Sequence, residues 1–205
     1  MNLAVCRVLP RTPENAVWYR LILPGDLPTA LSSAHTRKTR SRFNAGSFLD
    51  PADQFASLYF VDDPIVAQFE VGAMLGSLTP GGHIPHPRQS IYVTLNVHVI
   101  LQEVIDLADV SNVQNPLGTN VEELTGDWRG YQTRNPITPI SEPVGIAPTQ
   151  DLGKELFSSG AEGFRAISAK VPYHRTLVVF TERLHAGSSL TFIDRSSGGV
   201  IHRIP

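Results

Sequence analysis

Gln89-Ser-Ile-Tyr-Val-Thr-Leu-Asn-Val-His-Val-Ile-Leu-Gln-Glu-Val-Ile-Asp106 places Ile91, Val93, Leu95, Val97 and Val99 on one side and Tyr92, Thr94, Asn96 and His98 on the other. A period of two predicts one long half-buried strand, or two in series. His98 then reads as an outward or hydrogen-bonded sheet histidine rather than a catalyst. Shorter strands are expected at Ala16–Leu23, stopped by Pro24-Gly25, and at Phe55–Val61. Two more are expected at Phe164–Val171 and Thr176–Thr181, joined by Pro172-Tyr-His-Arg175, with a hairpin-like pair from Ser189 to Pro205 around Ser197-Gly198-Gly199. Helices are fewer. Asp62-Asp63-Pro64 starts one whose apolar face runs through Ile65, Val66, Phe69 and Ala73 to Gly76. Thr149 caps another, with Leu152, Leu156 and Phe157 inward and Gly160 and Gly163 stopping it, and a short helix is expected around Val121 to Arg129. The class predicted is α+β.

At 205 residues the chain is expected to form one domain, 1–205. It is 41% hydrophobic and 18% charged, as soluble globular proteins are. Lys+Arg 17 against Asp+Glu 19 gives a net charge of −2, so there is no general pull toward nucleic acid or an acidic membrane. A single cysteine, Cys6, excludes an intramolecular disulfide and a Cys-rich zinc site. The opening residues lack the pattern of a secretory signal, and no apolar run is long enough to span a bilayer, so a cytoplasmic location is expected. His83 and His86 stand in a Pro-interrupted loop without a helical pair or a nearby acidic ligand. They read as surface histidines, and no metal is expected.

The residues that carry chemistry come in an order: Arg42-Phe43-Asn44, Tyr59, Glu70, Ser168. Arginine offers a planar, permanently charged fork that grips a diphosphate at two points. A carboxylate stabilises developing positive charge, while an aromatic face and a hydroxyl position a flat ring and a ribose. Those needs coincide in a dinucleotide such as NAD. Taken one at a time the same residues read blandly: Arg42 as a loop arginine after the basic run Arg37, Lys38, Arg40; Glu70 as a helix glutamate; Ser168 as a strand serine. Tyr59 is as plausible in the core as in a site, and Arg20 is either a phosphate contact or a strand-edge ion pair. No G-x-G-x-x-G follows a strand, so NAD would be a substrate in a compact cleft and not a redox cofactor on a Rossmann sheet.

The ordered set resembles the RES-domain family, named for an arginine, a glutamate and a serine. The pattern is carried here by Ser41-Arg42-Phe43-Asn44, Leu58-Tyr59-Phe60, Ala67 with Glu70, Asp106-Leu107, Trp128, Thr149-Gln150 and Gly163-Phe-Arg-Ala-Ile-Ser168-Ala169. Leu177-Val-Val-Phe180 resembles the strand that follows. The resemblance runs from Trp18 to Phe180. Phe43 stands where Trp is commoner, Phe164 where an aliphatic residue is usual, and the segment between Arg42 and Tyr59 is longer than usual near Leu49 to Gln54.

The resemblance implies a fold similar to ADP-ribosyltransferase toxins, with a small mixed sheet core and flanking helices. It implies the toxin half of a toxin–antitoxin pair that cleaves the nicotinamide–ribose bond of NAD, by hydrolysis or by phosphorolysis with inorganic phosphate as co-substrate. Glu70 would stabilise the ribose cation. Arg42 would hold the diphosphate or the nicotinamide ribose, Tyr59 would stack on nicotinamide, and Ser168 would bond the ribose or orient Glu70. Arg20 and Asn44 would add contacts to NAD. The implied partner is an Xre-type antitoxin, with homo- or hetero-oligomers open. Two other functions stay in view: an ADP-ribosyltransferase modifying a protein, and a non-catalytic binding protein on the same fold.

Overall fold

The computed structural model describes residues 1–71, 91–131, 145–195 and 198–205. Its strands are β1 (Thr12–Ile22), β2 (Leu58–Val61), β3 (Val93–Asp106), β4 (Gly163–Ile167), β5 (Arg175–Val179), β6 (Ser189–Asp194) and β7 (Val200–Ile204). They form one sheet in the order β1-β2-β5-β4-β3-β6-β7, with a further pairing of β1 to β3. The long alternating run is therefore a single strand, although Ile91 lies before it and is exposed. β3 pairs with β4 in parallel and with β1 and β6 antiparallel, so the sheet is mixed. The pairings β1–β2–β5–β4–β3–β1 close a ring. β1 starts four residues earlier than its apolar run, and Pro13 falls at the register shift between Thr12 and Glu14, where no ladder N–H is required of it.

Alternation along the strands divides the interior in two. Leu58, Phe60, Leu95, Val97, Val99, Leu177 and Val179 build one cluster with Trp18 and Leu190. The intervening residues, Phe164 and Val178, face the other way with Phe180. There they meet Phe43, Phe55 and the apolar side of a helix through Leu152 and Leu156. Each fully buried Phe or Leu contributes roughly 1.5–3 kcal/mol of transfer free energy. The two faces of β2 and β5 together fix where everything else docks.

The helices are α1 (Pro64–Glu70), α2 (Asn115–Leu117), α3 (Val121–Thr125), α4 (Trp128–Tyr131) and α5 (Pro148–Ser158). Asp63 caps α1 as expected, its carboxylate accepting from Ile65 N at 2.7 Å and Val66 N at 3.2 Å. The helix expected around Val121 to Arg129 is two short ones, α3 and α4. In α5 the expected cap is displaced. Pro148 takes the first helical position, where its missing N–H costs nothing, and Gln150 Oε1 accepts from Ala147 N. Thr149 is buried inside the first turn, its hydroxyl without a hydrogen-bond partner among the described residues. Gly163 does not stop the helix but opens β4, where a Cβ would meet Val178 O at 2.3 Å. His83, His86, the stretch of helix expected beyond Val71 and Ser197 lie outside the described residues.

Candidate active site

A cavity of about 430 Å³ opens where β1 and β2 diverge, lined by residues from both strands, from the segment Arg40–Phe43, from the ends of α1 and α4 and from the loop after β4. The wall that carries Arg42 is built first. Ser41 N donates to Asn44 O at 2.8 Å, closing a tight turn. Asn44 is 1% exposed, and its amide is spent on the backbone: Nδ2 donates to Thr36 O and Phe55 O, and Oδ1 accepts from Gly46 N. Tyr59 reaches the turn from β2. Its hydroxyl is 2.6 Å from Ser41 Oγ and accepts from Phe43 N. Gln150 Nε2 donates from α5 to Ser41 O at 2.8 Å. Gly153 lies against the turn so closely that a Cβ there would meet Phe43 O at 1.9 Å.

Arg42 leaves this turn toward the cavity. Among the described residues its hydrogen bonds run from Nη1 to Leu124 O and Gly126 O, the carbonyl end of α3, where a cation is favoured. Burial pulls its pKa below the ordinary value, and the nearby Glu70 carboxylate pulls it back up. Burial also pushes the Tyr59 phenol up to about 12, against the lowering effect of its bonds to Ser41 and Phe43.

Glu70 is the last residue of α1, half-buried on the opposite wall. Ser168 Oγ donates to Glu70 Oε1 at 2.6 Å and accepts from Val171 N at 3.1 Å. Ser168 is 3% exposed and is not among the cavity-lining residues; its hydroxyl faces the Glu70 carboxylate. Lys170, two residues on, donates through Nζ to Phe69 O at 3.1 Å and Glu70 O at 3.2 Å. Burial lowers its pKa, with Glu70 acting upward and Arg129 and Arg42 downward.

Among the described residues five cations line the cavity, Arg20, Arg40, Arg42, Arg129 and Lys170, against the carboxylates of Glu70 and Asp127. A chain of net charge −2 thus concentrates positive charge in one place. Arg20 Nη1 is buried without a partner among the described residues, and burial lowers the Arg20 pKa. Arg40 lies over the Phe48 ring, 3.7 Å from its centroid. Trp128 adds an aromatic wall. Among the described residues no three His, Cys, Asp or Glu side chains are grouped to hold a metal ion, and no helix is long and apolar enough to cross a membrane.

Of the six residues expected in the site, Arg20, Arg42, Tyr59 and Glu70 line the cavity and Ser168 lies directly behind Glu70. Asn44 does not reach it. It lies inside the turn, buried and with three bonds to backbone. Arg129 and Lys170 were not anticipated as lining residues; their closeness to Trp128 and Ser168 in the motif was the signal available. Arg40 belongs to the basic run Arg37–Arg42, for which a solvated loop and a phosphate-facing role were both open. His98 bonds Asn15 Oδ1 at 2.9 Å on the outer face of the sheet, away from the cavity, as its alternation predicted.

Comparison with known proteins agrees with this geometry. Curated protein sequences offer no match. In fold the chain is similar to one from the crystal structure of the M. tuberculosis MbcT–MbcA toxin–antitoxin complex, with a TM-score of 0.65 and 17% identity over 94% of this chain and 88% of that one. The family model described as the RES domain matches residues 17–194, a span that includes Arg42, Glu70 and Ser168. With most of its length matched and its arginine, glutamate and serine gathered around one cavity, the chain belongs to the RES-domain family.

Proposed function

We propose that this chain is the toxin of a toxin–antitoxin pair and that it breaks the nicotinamide–ribose bond of NAD. The observation that carries the reading is the Glu70 carboxylate, held by Ser168 Oγ at 2.6 Å, on the wall of a cavity with five cations. In NAD the glycosidic bond joins C1 of the ribose to a positively charged ring. When it breaks, the electron pair goes to the ring nitrogen and nicotinamide leaves neutral, so departure needs no general acid. Positive charge then develops on the ribose. A carboxylate already aimed at that position stabilises it without reorganising during the reaction. Arg42 and Arg20 are assigned to the diphosphate, Tyr59 and Trp128 to the flat ring. Ser168 acts through Glu70. The acceptor oxygen, from water or from orthophosphate, bonds to C1 and a proton is released to solvent. NAD is consumed as substrate and no resident cofactor is invoked.

The same reading gives the chain an antitoxin partner of Xre type and a cytoplasmic place of action, where NAD is abundant. Family membership and a fold shared with a chain of a toxin–antitoxin complex support the partner. The test is NAD consumption by purified protein, with mass spectrometry of the products in the presence and absence of phosphate. Wild type is expected to release nicotinamide, and Glu70→Gln to do so on the order of 10²–10³ more slowly. The mass of the second product names the acceptor, and label transferred only to added protein would make the enzyme an ADP-ribosyltransferase. NAD left intact even with phosphate and cell extract supplied, or full activity in Glu70→Gln, overturns the reading.

A further inference from the structure

Glu70 occupies an awkward place for a carboxylate. It ends α1, where the carbonyls of the last turn present partial negative charge that repels an acid. Among the described residues its side chain is held by one hydroxyl, Ser168 Oγ. A single hydrogen bond fixes neither the backbone beneath the carboxylate nor the distance between the helix and the loop that carries the serine. Lys170 supplies both. Its ammonium spans Phe69 O and Glu70 O, the two carbonyls at the end of the helix, while its own N–H donates to Ser168 Oγ at 3.3 Å. One residue therefore ties the serine, the helix end and the acid's own peptide group together, and places a positive charge against the negative end of α1. Burial lowers the Lys170 pKa, so this contact is made at some desolvation cost.

We infer that Lys170 is a positioning residue for Glu70: it clamps the carbonyl end of α1 to the Ser168 loop so that the carboxylate is held at the developing ribose charge. The inference rests on the reading of Glu70 proposed above. Misplacing a reacting group by about 1 Å costs up to about a hundredfold in rate. Removing the clamp acts on kcat. A cation that merely held the diphosphate would act on KM.

The experiment compares wild type, Lys170→Met and Lys170→Arg in steady-state NAD cleavage, with amide hydrogen exchange at Phe69–Val71 measured on the same proteins. Lys170→Met is expected to lower kcat at least about tenfold with KM for NAD within about twofold, and to speed exchange in the last turn of α1. Lys170→Arg, which keeps donors and charge, is expected to recover most of both. A thermal melt within a few degrees of wild type certifies that Lys170→Met is folded, and Lys170→Gln takes its place if it is not. A rise in KM with kcat unchanged, or faster exchange without any fall in kcat, overturns the inference. If wild type itself cleaves no NAD, the proposed function fails. The clamp then stands or falls on exchange alone, with unchanged protection in Lys170→Met sinking it.

Discussion

Two segments bring the family's arginine and serine to the cavity, and they are held in different ways. The turn Ser41–Asn44 is fixed from inside: Phe43 is 2% exposed, Asn44 is sealed beneath it, and Tyr59, Gln150 and Gly153 close on it from a strand and a helix. The loop from Ser168 to Arg175 is fixed from outside. Beyond the backbone bonds Ser168 N to His174 O and Asp62 N to Arg175 O, its ties are side-chain hydrogen bonds, Ser168 to Glu70, Lys170 to the end of α1, and Asp62 to His174 Nδ1 and Arg175 N, and its tip, Tyr173, is 99% exposed with φ +71°. Burial of Phe43 and Asn44 fixes the backbone from which the arginine departs. Polar ties give the glutamate a position that can be tuned one bond at a time.

The sharpest way to break this contrast is Gly153→Ala. The added methyl has nowhere to go but into the Phe43 carbonyl, so either α5 or the arginine turn must move. A loss of about 3 kcal/mol or more is expected in urea unfolding. A smaller loss would show that the turn is looser than its burial implies. Next comes Asn44→Ala, which strands the Thr36 and Phe55 carbonyls and the Gly46 amide. About 2–3 kcal/mol should be lost by the same measurement, with NAD-cleaving activity falling only as the folded fraction falls. A specific loss of activity in fully folded protein would return Asn44 to the site. The smallest effect is expected in the other segment. Pro172 and Tyr173 occupy the middle of a turn closed by His174 N donating to Val171 O at 3.3 Å, and the second position requires the left-handed conformation that asparagine tolerates better than tyrosine. Tyr173→Asn should raise stability by up to about 1 kcal/mol in thermal unfolding. A loss comparable to that of Asn44→Ala would erase the distinction between the two segments.

What could be read from sequence follows the same division. β3 was legible because alternation from Val93 to Leu101 is a local pattern that burial on one face imposes directly. The Asp63 cap and Pro64 were legible because capping is decided within four residues. The site was legible only through its family resemblance. Ser168 and Glu70 are separated by 98 positions, and nothing in their spacing announces a hydrogen bond. The burial of Asn44 was not legible, because an asparagine beside a candidate arginine reads the same whether its amide faces a ligand or a backbone. Thr149 misled because Thr-Gln-Asp resembles a helix start, while Pro148, one residue earlier, is the stronger determinant. Arg129 and Lys170 belong to segments far apart in the chain, and only the closed sheet brings their charges to one wall.

The ring of strands has a weak stave. β1 runs against β3 from Thr12↔Val104 to Ile22↔Val93, yet it touches β2 through the one pair Tyr19↔Val61. Both residues of that pair line the cavity. The backbone ladder of the barrel is therefore stitched at this seam by a single knot beside its own chamber, and the rest of the seam is held by side chains, Leu21 and Tyr19 packing with Val61, Val66 and Ala67. Parting that one bridge would leave the long β1–β3 ladder intact.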